Sequence, residues 1–214
     1  MLDSPVQPAG RSPRRVDIAE TWRRIDALLA ELSPASAKTL NPPTTLALIA
    51  KLEKQLGFLL PIDFKESLLI HDGQTDPRGC WGLTNDGNLL SIAKIYQTWQ
   101  STNQVDEDLR DEYAGENDGD YGDHVEWWNP KWIPVAQSAG GDLLCINMDP
   151  DLCEVGRIVC FVHDNPFDDT LNWLSFGEWL ADLADRLEAG QFEIEQSNSS
   201  LKGRLCVLSD WEIE

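Results

Sequence analysis

Apolar residues recur at helical spacing in several stretches of the chain, and each stretch is bounded by residues that typically begin or end helices. The first stretch follows Asp17, which has Glu20 three residues later and so has the spacing of a capping box. A last helix is predicted from Ser175, where Glu178 completes a second capping box, to Gly190. Between them, the pattern predicts helices that begin near Leu46, Pro61 and Ser91.

The two helices near Leu46 and Pro61 are predicted to meet at a sharp corner. Gly57 follows the last apolar position of the first helix, where a left-handed residue can satisfy the terminal carbonyls. Pro61 suits the first turn of the second helix, because its missing N–H costs nothing there and its ring fixes φ. Gly73 ends that second helix.

Short apolar runs separated by Gly- and Pro-bearing turns predict strands in the second half of the chain. These runs cover residues 131–136, 143–148 and 157–163. A hairpin is predicted around Asp86-Gly87, since this pair supplies the positive φ of a tight turn, and residues 192–194 and 205–207 form a further candidate hairpin. Helices followed by a meander of strands and a closing helix indicate an α+β fold.

Acidic residues concentrate between Asp106 and Glu126, where ten of them stand against the single Arg110. The preceding helix loses its apolar stripe beyond Leu109, and the acidic stretch also contains several glycines. Such a segment has too little apolar surface to bury itself. We therefore predict that residues 106–126 form a solvated loop.

The net charge of −20 lies almost entirely in the later part of the chain. Residues 1–60 carry eight basic and six acidic residues, whereas residues 61–214 carry nine basic and thirty-one acidic ones. A field of this sign repels nucleic acid and anionic membrane surfaces and attracts basic proteins. The charge therefore argues against nucleic-acid and membrane binding and favours a basic protein partner.

Composition gives further expectations about the environment of the protein. The sequence has no run of 18 apolar residues and no continuous apolar core near its start, so we expect a cytoplasmic protein. Five cysteines, none in a Cys-x-x-Cys pair, predict reduced thiols and no zinc. Residues 1–14 combine Pro and Arg with small polar residues and are predicted to form a mobile tail.

Catalytic motifs with a recognisable spacing do not occur in the sequence. It has neither a Gly-rich phosphate loop nor a Gly-x-Ser-x-Gly elbow, and its three histidines are far apart. Gly140-Gly141-Asp142 has the composition of a tight turn rather than of a binding loop. A cluster of His163, Asp164 and Asp168 at a strand end is the remaining enzymatic alternative, although a charged turn is favoured. We predict no catalytic residue, no cofactor and no metal.

The adjacent pair Trp127-Trp128 directly follows the acidic stretch. Neighbouring side chains on an extended segment point to opposite faces, so one ring is predicted to reach the core and the other to stay near the surface. Tryptophan is enriched at interface hot spots, and acidic surroundings suit a basic partner. The predicted partner-binding residues are Asp106, Glu107, Asp108, Asp111, Glu112, Glu116, Asp118, Asp120, Trp127 and Trp128.

Three ordered blocks of residues carry a family resemblance. In the first, Glu53 is followed by Leu56-Gly57, Leu60-Pro61 and Asp72-Gly73, which resembles the opening motif of the SUKH superfamily, best known for fungal cell-wall glucan synthesis regulators. Asp72 stands where Asn is commoner, and Phe64 stands where Tyr is common. The later blocks are Trp132-Ile133-Pro134, Gly140-Gly141-Asp142, the strands 143–148 and 157–163, and residues 175–180.

The resemblance implies a small antiparallel sheet packed with helices and a role without catalysis. Trp22 with Pro42-Pro43 is similar to the N-terminal extension of bacterial members, which are considered immunity proteins that neutralise toxin domains, often nucleases. The alternative is a regulatory scaffold of the glucan-regulator (Smi/Knr-like) type without a toxin partner. Residues 15–190 are predicted to form the SUKH-like domain with a helical extension, and residues 191–214 a C-terminal hairpin or extension. The oligomeric state stays open.

Overall fold

The computed structural model describes residues 11–75, 83–84, 87–113, 127–163, 171–196 and 202–208. Its helices are α1 (Ile18–Leu32), α2 (Pro34–Ala37), α3 (Leu46–Leu56), α4 (Ile62–Leu68), α5 (Ile92–Tyr113) and α6 (Phe176–Glu188). Its strands are β1 (Asn88–Leu89), β2 (Trp132–Gln137), β3 (Leu143–Asn147), β4 (Ile158–Phe161), β5 (Phe192–Ile194) and β6 (Leu205–Val207).

The helical corner between α3 and α4 forms as the sequence predicts, but α4 ends at Leu68 and not at Gly73. Gly57 ends α3 in the left-handed region at φ 86°, and Pro61 occupies the capping position of α4. The carboxylate of Glu53 accepts hydrogen bonds from the Leu60 N–H at 3.0 Å and from Lys65 Nζ at 3.1 Å. The acidic residue of the first sequence block therefore fixes the connection between the two helices.

The main sheet is antiparallel throughout, with the strand order β1-β2-β3-β4. A register shift between Pro134 and Ala136 marks a bulge in β2, where Pro lacks the N–H that a regular ladder needs. This small antiparallel sheet packed with helices confirms the predicted α+β class.

The sheet is covered on both faces, which explains why every residue of β3 is buried. Side chains alternate along a strand, so Leu144 and Ile146 join the main core with the helices. Leu143 and Cys145 point the other way, into a smaller cluster. That second cluster consists of Trp128, Trp132, Leu143, Cys145, Val159 and Phe161.

Helix α5 is longer than predicted, and this corrects the interpretation of residues 106–113 as part of a solvated loop. The backbone from Ile92 to Tyr113 is helical. Asp106 is 5% exposed, and its carboxylate accepts a hydrogen bond from the Trp128 N–H at 3.3 Å and pairs with Arg110 at 2.8 Å. These contacts hold the acidic end of the helix in place. Residues 114–126 lie outside the described residues.

The two predicted capping boxes are only half formed. Asp17 accepts a hydrogen bond from the Glu20 N–H, but the Glu20 carboxylate pairs with Arg23. At α6, the Ser175 hydroxyl accepts from the Glu178 N–H at 3.2 Å. The carboxylate of Glu178 does not complete the box, because it binds other groups.

Glu178 is a buried carboxylate that connects α6 to the segment before α1. It accepts hydrogen bonds from the Arg14 N–H at 2.6 Å, the Leu174 N–H at 3.2 Å and Arg11 Nη2 at 2.9 Å. Burial opposes ionisation, but these donors outweigh it and lower the pKa of Glu178. Residues 11–14 of the predicted mobile tail therefore contact α6, while residues 1–10 lie outside the described residues.

Strands β5 and β6 pair with each other and pack against the start of the domain. The Leu205 N–H donates to Ser36 Oγ at 2.7 Å, and the Val207 N–H donates to the Leu83 carbonyl at 3.0 Å. The side chains of Leu205 and Val207 belong to the main core. Among the described helices, none combines the length and the apolar character that crossing a membrane requires.

His71 links α1 to the segment that leads into α3. Its Nε2 lies 3.0 Å from Asp26 Oδ1, and its Nδ1 lies 3.1 Å from the Asn41 carbonyl oxygen. Burial opposes protonation, but the hydrogen bonds to Asp26 and to the Asn41 carbonyl outweigh it and raise the pKa of His71. The protonated imidazole therefore stabilises the contact between α1 and residue 41.

We expect this contact to make stability depend on pH near neutrality. A histidine whose folded pKa is raised contributes stability that is fully present below its unfolded pKa of about 6.5, and that is lost as pH rises through the folded value. Urea denaturation of the wild type and of Asp26→Asn between about pH 5.5 and 8.5 tests this. The stability difference between the two proteins should shrink as pH rises, and a constant difference would contradict the assignment.

Candidate functional site

The Asp-Gly pair of the first sequence block positions the start of α5. Asp72 Oδ1 accepts a hydrogen bond from the Ile92 N–H at 2.7 Å. Burial raises the pKa of Asp72, and this hydrogen bond opposes the shift only in part. Gly73 has φ 66°, and its backbone lies against that of Leu90. The pair is therefore a structural connection rather than a chemical site.

Gln74 holds three segments together beside this connection. Its buried side-chain carbonyl accepts hydrogen bonds from the Leu83 N–H at 3.2 Å and the Leu89 N–H at 3.1 Å. Its amide nitrogen donates to Thr39 Oγ1 at 2.9 Å. Strand β1 is thereby fixed at the edge of the sheet.

A groove of about 690 Å³ lies between α5 and the sheet, beside the smaller aromatic cluster. Leu143 and Phe161 form part of its floor. A hydroxyl-bearing side of α5 forms one wall, which includes Thr98, Ser101 and Thr102. The turn at residues 138–141 lies on the opposite side, and the volume falls within the range of about 300–1,000 Å³ that is common for ligand sites.

The two adjacent tryptophans divide between groove and core, as the sequence predicts. Trp127 is half-buried and lines the groove, where its Nε1 donates to the His163 carbonyl at 2.9 Å. Trp128 is 0% exposed, and its ring edge meets Trp132 and Phe161 at centroid distances of 5.6 and 5.2 Å. Only Trp127 is therefore placed to touch a partner.

The turn at Gly140-Gly141-Asp142 is a tight turn, as predicted, and it also borders the groove. The Ser138 N–H donates to the Asp142 carbonyl at 2.9 Å, and Gly141 has φ 103°. Asp142 Oδ1 lies 2.8 Å from His163 Nδ1. Burial opposes ionisation of Asp142, but the bonds to His163 outweigh it and lower its pKa.

Of the three residues in the predicted enzymatic cluster, the structure describes only His163. His163 contacts Asp142, whereas Asp164 and Asp168 of the predicted cluster lie outside the described residues. In the part of the chain that the structure describes, no group of three or more His, Cys, Asp or Glu side chains could hold a metal ion.

The predicted acidic contacts differ widely in exposure. Asp106 is buried and bonded to the Trp128 backbone, so it is not presented to a partner. Glu107, Asp108 and Asp111 are exposed on α5. The backbone of Glu112 is part of α5, but its side chain is not among those that the structure describes. Glu116, Asp118 and Asp120 lie outside the described residues.

We expect Asp106→Ala to destabilise the fold and Asp108→Ala to leave it nearly unchanged. Removing the Asp106 carboxylate leaves the buried Trp128 N–H without its acceptor, at a cost of about 1–3 kcal/mol. The exposed Asp108 is a matched control, for which a change within about 0.5 kcal/mol is ordinary. Urea denaturation measures both, and equal effects would contradict the structural role of Asp106.

Sequence reasoning missed the polar face of α5 and the floor residues Asn88 and Gln137. The available signal was the spacing of Thr98, Ser101 and Thr102, which places three hydroxyl groups on one side of a helix. That signal indicates a polar face but does not show what faces it.

A small antiparallel sheet packed with helices, with a groove between α5 and one sheet face, defines a small α+β domain whose recognisable motifs are structural. The model of the SMI1 / KNR4 family (SUKH-1) matches residues 43–182, which is more than half of the chain. The chain therefore belongs to that family, and the resemblance to the SUKH superfamily is confirmed.

Several fungal proteins are similar to this chain over most of its length. The cell wall biosynthesis/cell cycle regulator smi1 of Schizosaccharomyces pombe is 27% identical over 92% of this chain and 41% of its own length. The glucan synthesis regulatory protein of Neurospora crassa is 24% identical over 90% of this chain and 42% of its own length. The chain thus spans about two fifths of the length of these relatives. They support the glucan-regulator branch, while the bacterial type stays a prediction.

Proposed function

We propose that this chain is a non-enzymatic protein-binding module that acts as a regulatory scaffold. Members of its family are protein-interaction modules, and two relatives are named as regulators of cell wall biosynthesis or glucan synthesis. The observation that carries the proposal is the groove beside α5, which is large enough for part of a partner and has the half-buried Trp127 on its border. The proposed location is the cytoplasm.

The groove suits binding because rigid elements surround it. Helix α5 is fixed at its start by Asp72 and farther along by the contact between Asp106 and the Trp128 backbone. The indole of Trp127 is oriented by its hydrogen bond to the His163 carbonyl and by an edge contact with Phe161 at 5.0 Å. A pre-organised surface loses little entropy when a partner binds.

A second candidate is the immunity function, in which the chain neutralises a basic toxin domain such as a nuclease. The observation that favours it is the exposed acidic set Glu107, Asp108 and Asp111 on α5. Complementary charge of this kind speeds association and makes it sensitive to salt. The two candidates therefore differ in the surface that the partner needs.

Affinity capture from the native organism, with low-salt and then high-salt washes, tests these functions. The wild type is compared with Ser101→Trp, which fills the groove, and with a variant in which Glu107 and Asp111 become amides. Glu31→Trp places the same ring at an exposed position of α1 and serves as the control.

Proteins that bind the wild type and Glu31→Trp but not Ser101→Trp would support the regulatory scaffold. Capture of one basic, nuclease-like protein that salt releases and the amide variant loses would support the immunity function instead. If nothing binds the wild type more than it binds an unrelated control domain, the proposed function is wrong.

A further inference from the structure

Asn88 is an unusual feature of the groove floor. It lies opposite Gln137 in the pairing of β1 with β2. Its neighbour Leu89 packs into the main core, so the Asn88 side chain points to the other face of the sheet, where it lines the groove. Asn88 is 9% exposed, and its Oδ1 accepts no hydrogen bond from the residues that the structure describes.

A buried acceptor without a donor is uncommon in native proteins, because leaving it unpaired costs free energy. Gln137 lies beside it on the adjacent strand and also lines the groove. Two neighbouring amide side chains offer both acceptors and donors, which matches the alternating C=O and N–H groups of an extended polypeptide. A ligand with N–H donors would satisfy Asn88 Oδ1.

The dimensions of the groove fit such a ligand. Its α5 wall runs from Lys94 to Val105, which is about 16 Å at 1.5 Å per residue. An extended chain rises about 3.3 Å per residue, so about five residues cover this length. The hydroxyl groups of Ser101 and Thr102 lie along the wall, where they can bond polar groups of the bound segment.

The charged residues at the two ends of the α5 wall differ, which would orient a bound segment. Among the described lining residues none is Asp or Glu, and two are of basic type, Lys94 and His163, of which His163 is paired with Asp142. Lys94 lies near the start of α5, where the helix dipole adds positive potential. Asp108 lies one turn beyond Val105 on the same side of the helix and is exposed. Lys94 and Asp108 therefore place charges of opposite sign at the two ends of the α5 wall.

We infer that the groove binds an extended segment of a partner polypeptide, about five residues long. The main chain of this segment forms hydrogen bonds with the side chains of Asn88 and Gln137. The segment has a polar, uncharged centre, a basic residue toward Asp108 and an acidic residue toward Lys94. This inference rests on the proposed function, because it names the part of the partner that the groove accepts.

Selection from a random heptapeptide library displayed on phage tests the inference. The wild-type chain is the target, and each selected peptide is then synthesised and its Kd measured by calorimetry. We expect peptides with a basic residue at one end and an acidic residue at the other. Asn88→Leu and Ser101→Trp should each weaken them at least tenfold, and Glu31→Trp should leave their Kd unchanged.

Reversing the charge of Asp108 tests the orientation of the bound segment separately from its hydrogen bonds to Asn88 and Gln137. With Asp108→Lys as the target, the same library should yield peptides whose basic end is replaced by an acidic one. The free Asn88→Leu protein should retain the melting temperature of the wild type, because the change removes an unpaired acceptor. Loss of affinity without loss of stability distinguishes a binding role from a structural one.

The inference is wrong if no peptide is selected, or if the selected peptides bind Asn88→Leu and Ser101→Trp as tightly as the wild type. A partner protein that is captured by the wild type and by both of these variants would also overturn it, while the proposed binding function would stand. If lysate capture yields no partner at all, the proposed function is wrong and the inference that rests on it is wrong with it.

Discussion

Trp22→Ala is expected to lower the free energy of unfolding by about 3–5 kcal/mol, the range for removing a buried aromatic side chain. Trp22 is 1% exposed, and its ring edge meets the ring of His71 at a centroid distance of 4.8 Å. Its Nε1 also donates to the buried Ser67 Oγ at 2.9 Å. The substitution leaves both a cavity and an unpaired hydroxyl between α1 and α4, and urea denaturation measures the loss.

Two further variants separate the contributions at this site. Trp22→Phe retains most of the ring but loses the indole N–H, so it should cost less than the alanine variant. Arg23→Ala changes the next residue, which lies on the exposed side of α1, and should leave stability nearly unchanged, as is typical of a surface ion pair. A loss below about 1.5 kcal/mol for Trp22→Ala would contradict its role as a core anchor.

Gly73→Ala is expected to destabilise the fold by more than about 3 kcal/mol, because backbone strain and a steric clash add together. Gly73 has φ 66°, and an added Cβ would lie 2.4 Å from the Leu90 carbonyl carbon. The Leu90 atom belongs to backbone and the Cβ is bonded directly to the Gly73 backbone, so neither can move aside as the end of a flexible side chain could. Thermal and urea denaturation should show the loss, and the signals of the α5 start should shift in NMR spectra.

Gly57→Ala provides the matched control. Gly57 also has a positive φ of 86°. Apart from Gly57 itself and its chain neighbours, however, no atom of the described residues lies within 4 Å of the position that an added Cβ would take. The substitution should therefore cost only the free energy of the left-handed conformation, which is about 1–2 kcal/mol for a residue with a Cβ. The difference between the two variants therefore measures the close approach of Gly73 to Leu90, and equal losses would show that this approach has no energetic role.

The sequence predicted the helices α1, α3 and α6 and the start of α4 well, because their signals are local. Asp17 and Ser175 cap helices within three residues of their own position, and Gly57 ends α3 at the residue itself. The β2-to-β4 meander was also predictable, since its strands are apolar runs separated by short turns. None of these features depends on which distant segment packs against them.

The end of α5 could not be predicted in this way. Its acidic residues favour a solvated loop when they are considered alone. What keeps Asp106 in a helix is a hydrogen bond to the Trp128 backbone, 22 positions away in sequence. Only the fold shows that contact, and the same contact explains why Asp106 is buried while Asp108 is exposed.

The candidate site was predictable only in part for the same reason. The pair Trp127-Trp128 was identified from the sequence, because adjacent side chains on an extended segment point to opposite faces, but which ring faces outward was not. The groove that Trp127 lines needs Asn88 from β1, Gln137 from β2 and the hydroxyl groups of α5, which are brought together by strand pairing and helix packing. The amide and hydroxyl residues carry no local signal for that convergence.

The contact between β6 and the first helices has a consequence for the order of folding. The Leu205 N–H reaches Ser36 Oγ across 169 positions of sequence, and the side chains of Leu205 and Val207 complete the core. Contacts of such long range carry a large loop-closure entropy and slow the folding of a domain. During synthesis, α1 and α2 leave the ribosome long before β6, and the native core can close only after residue 207 has emerged. Until then we expect the nascent chain to expose apolar surface of the kind that chaperones bind.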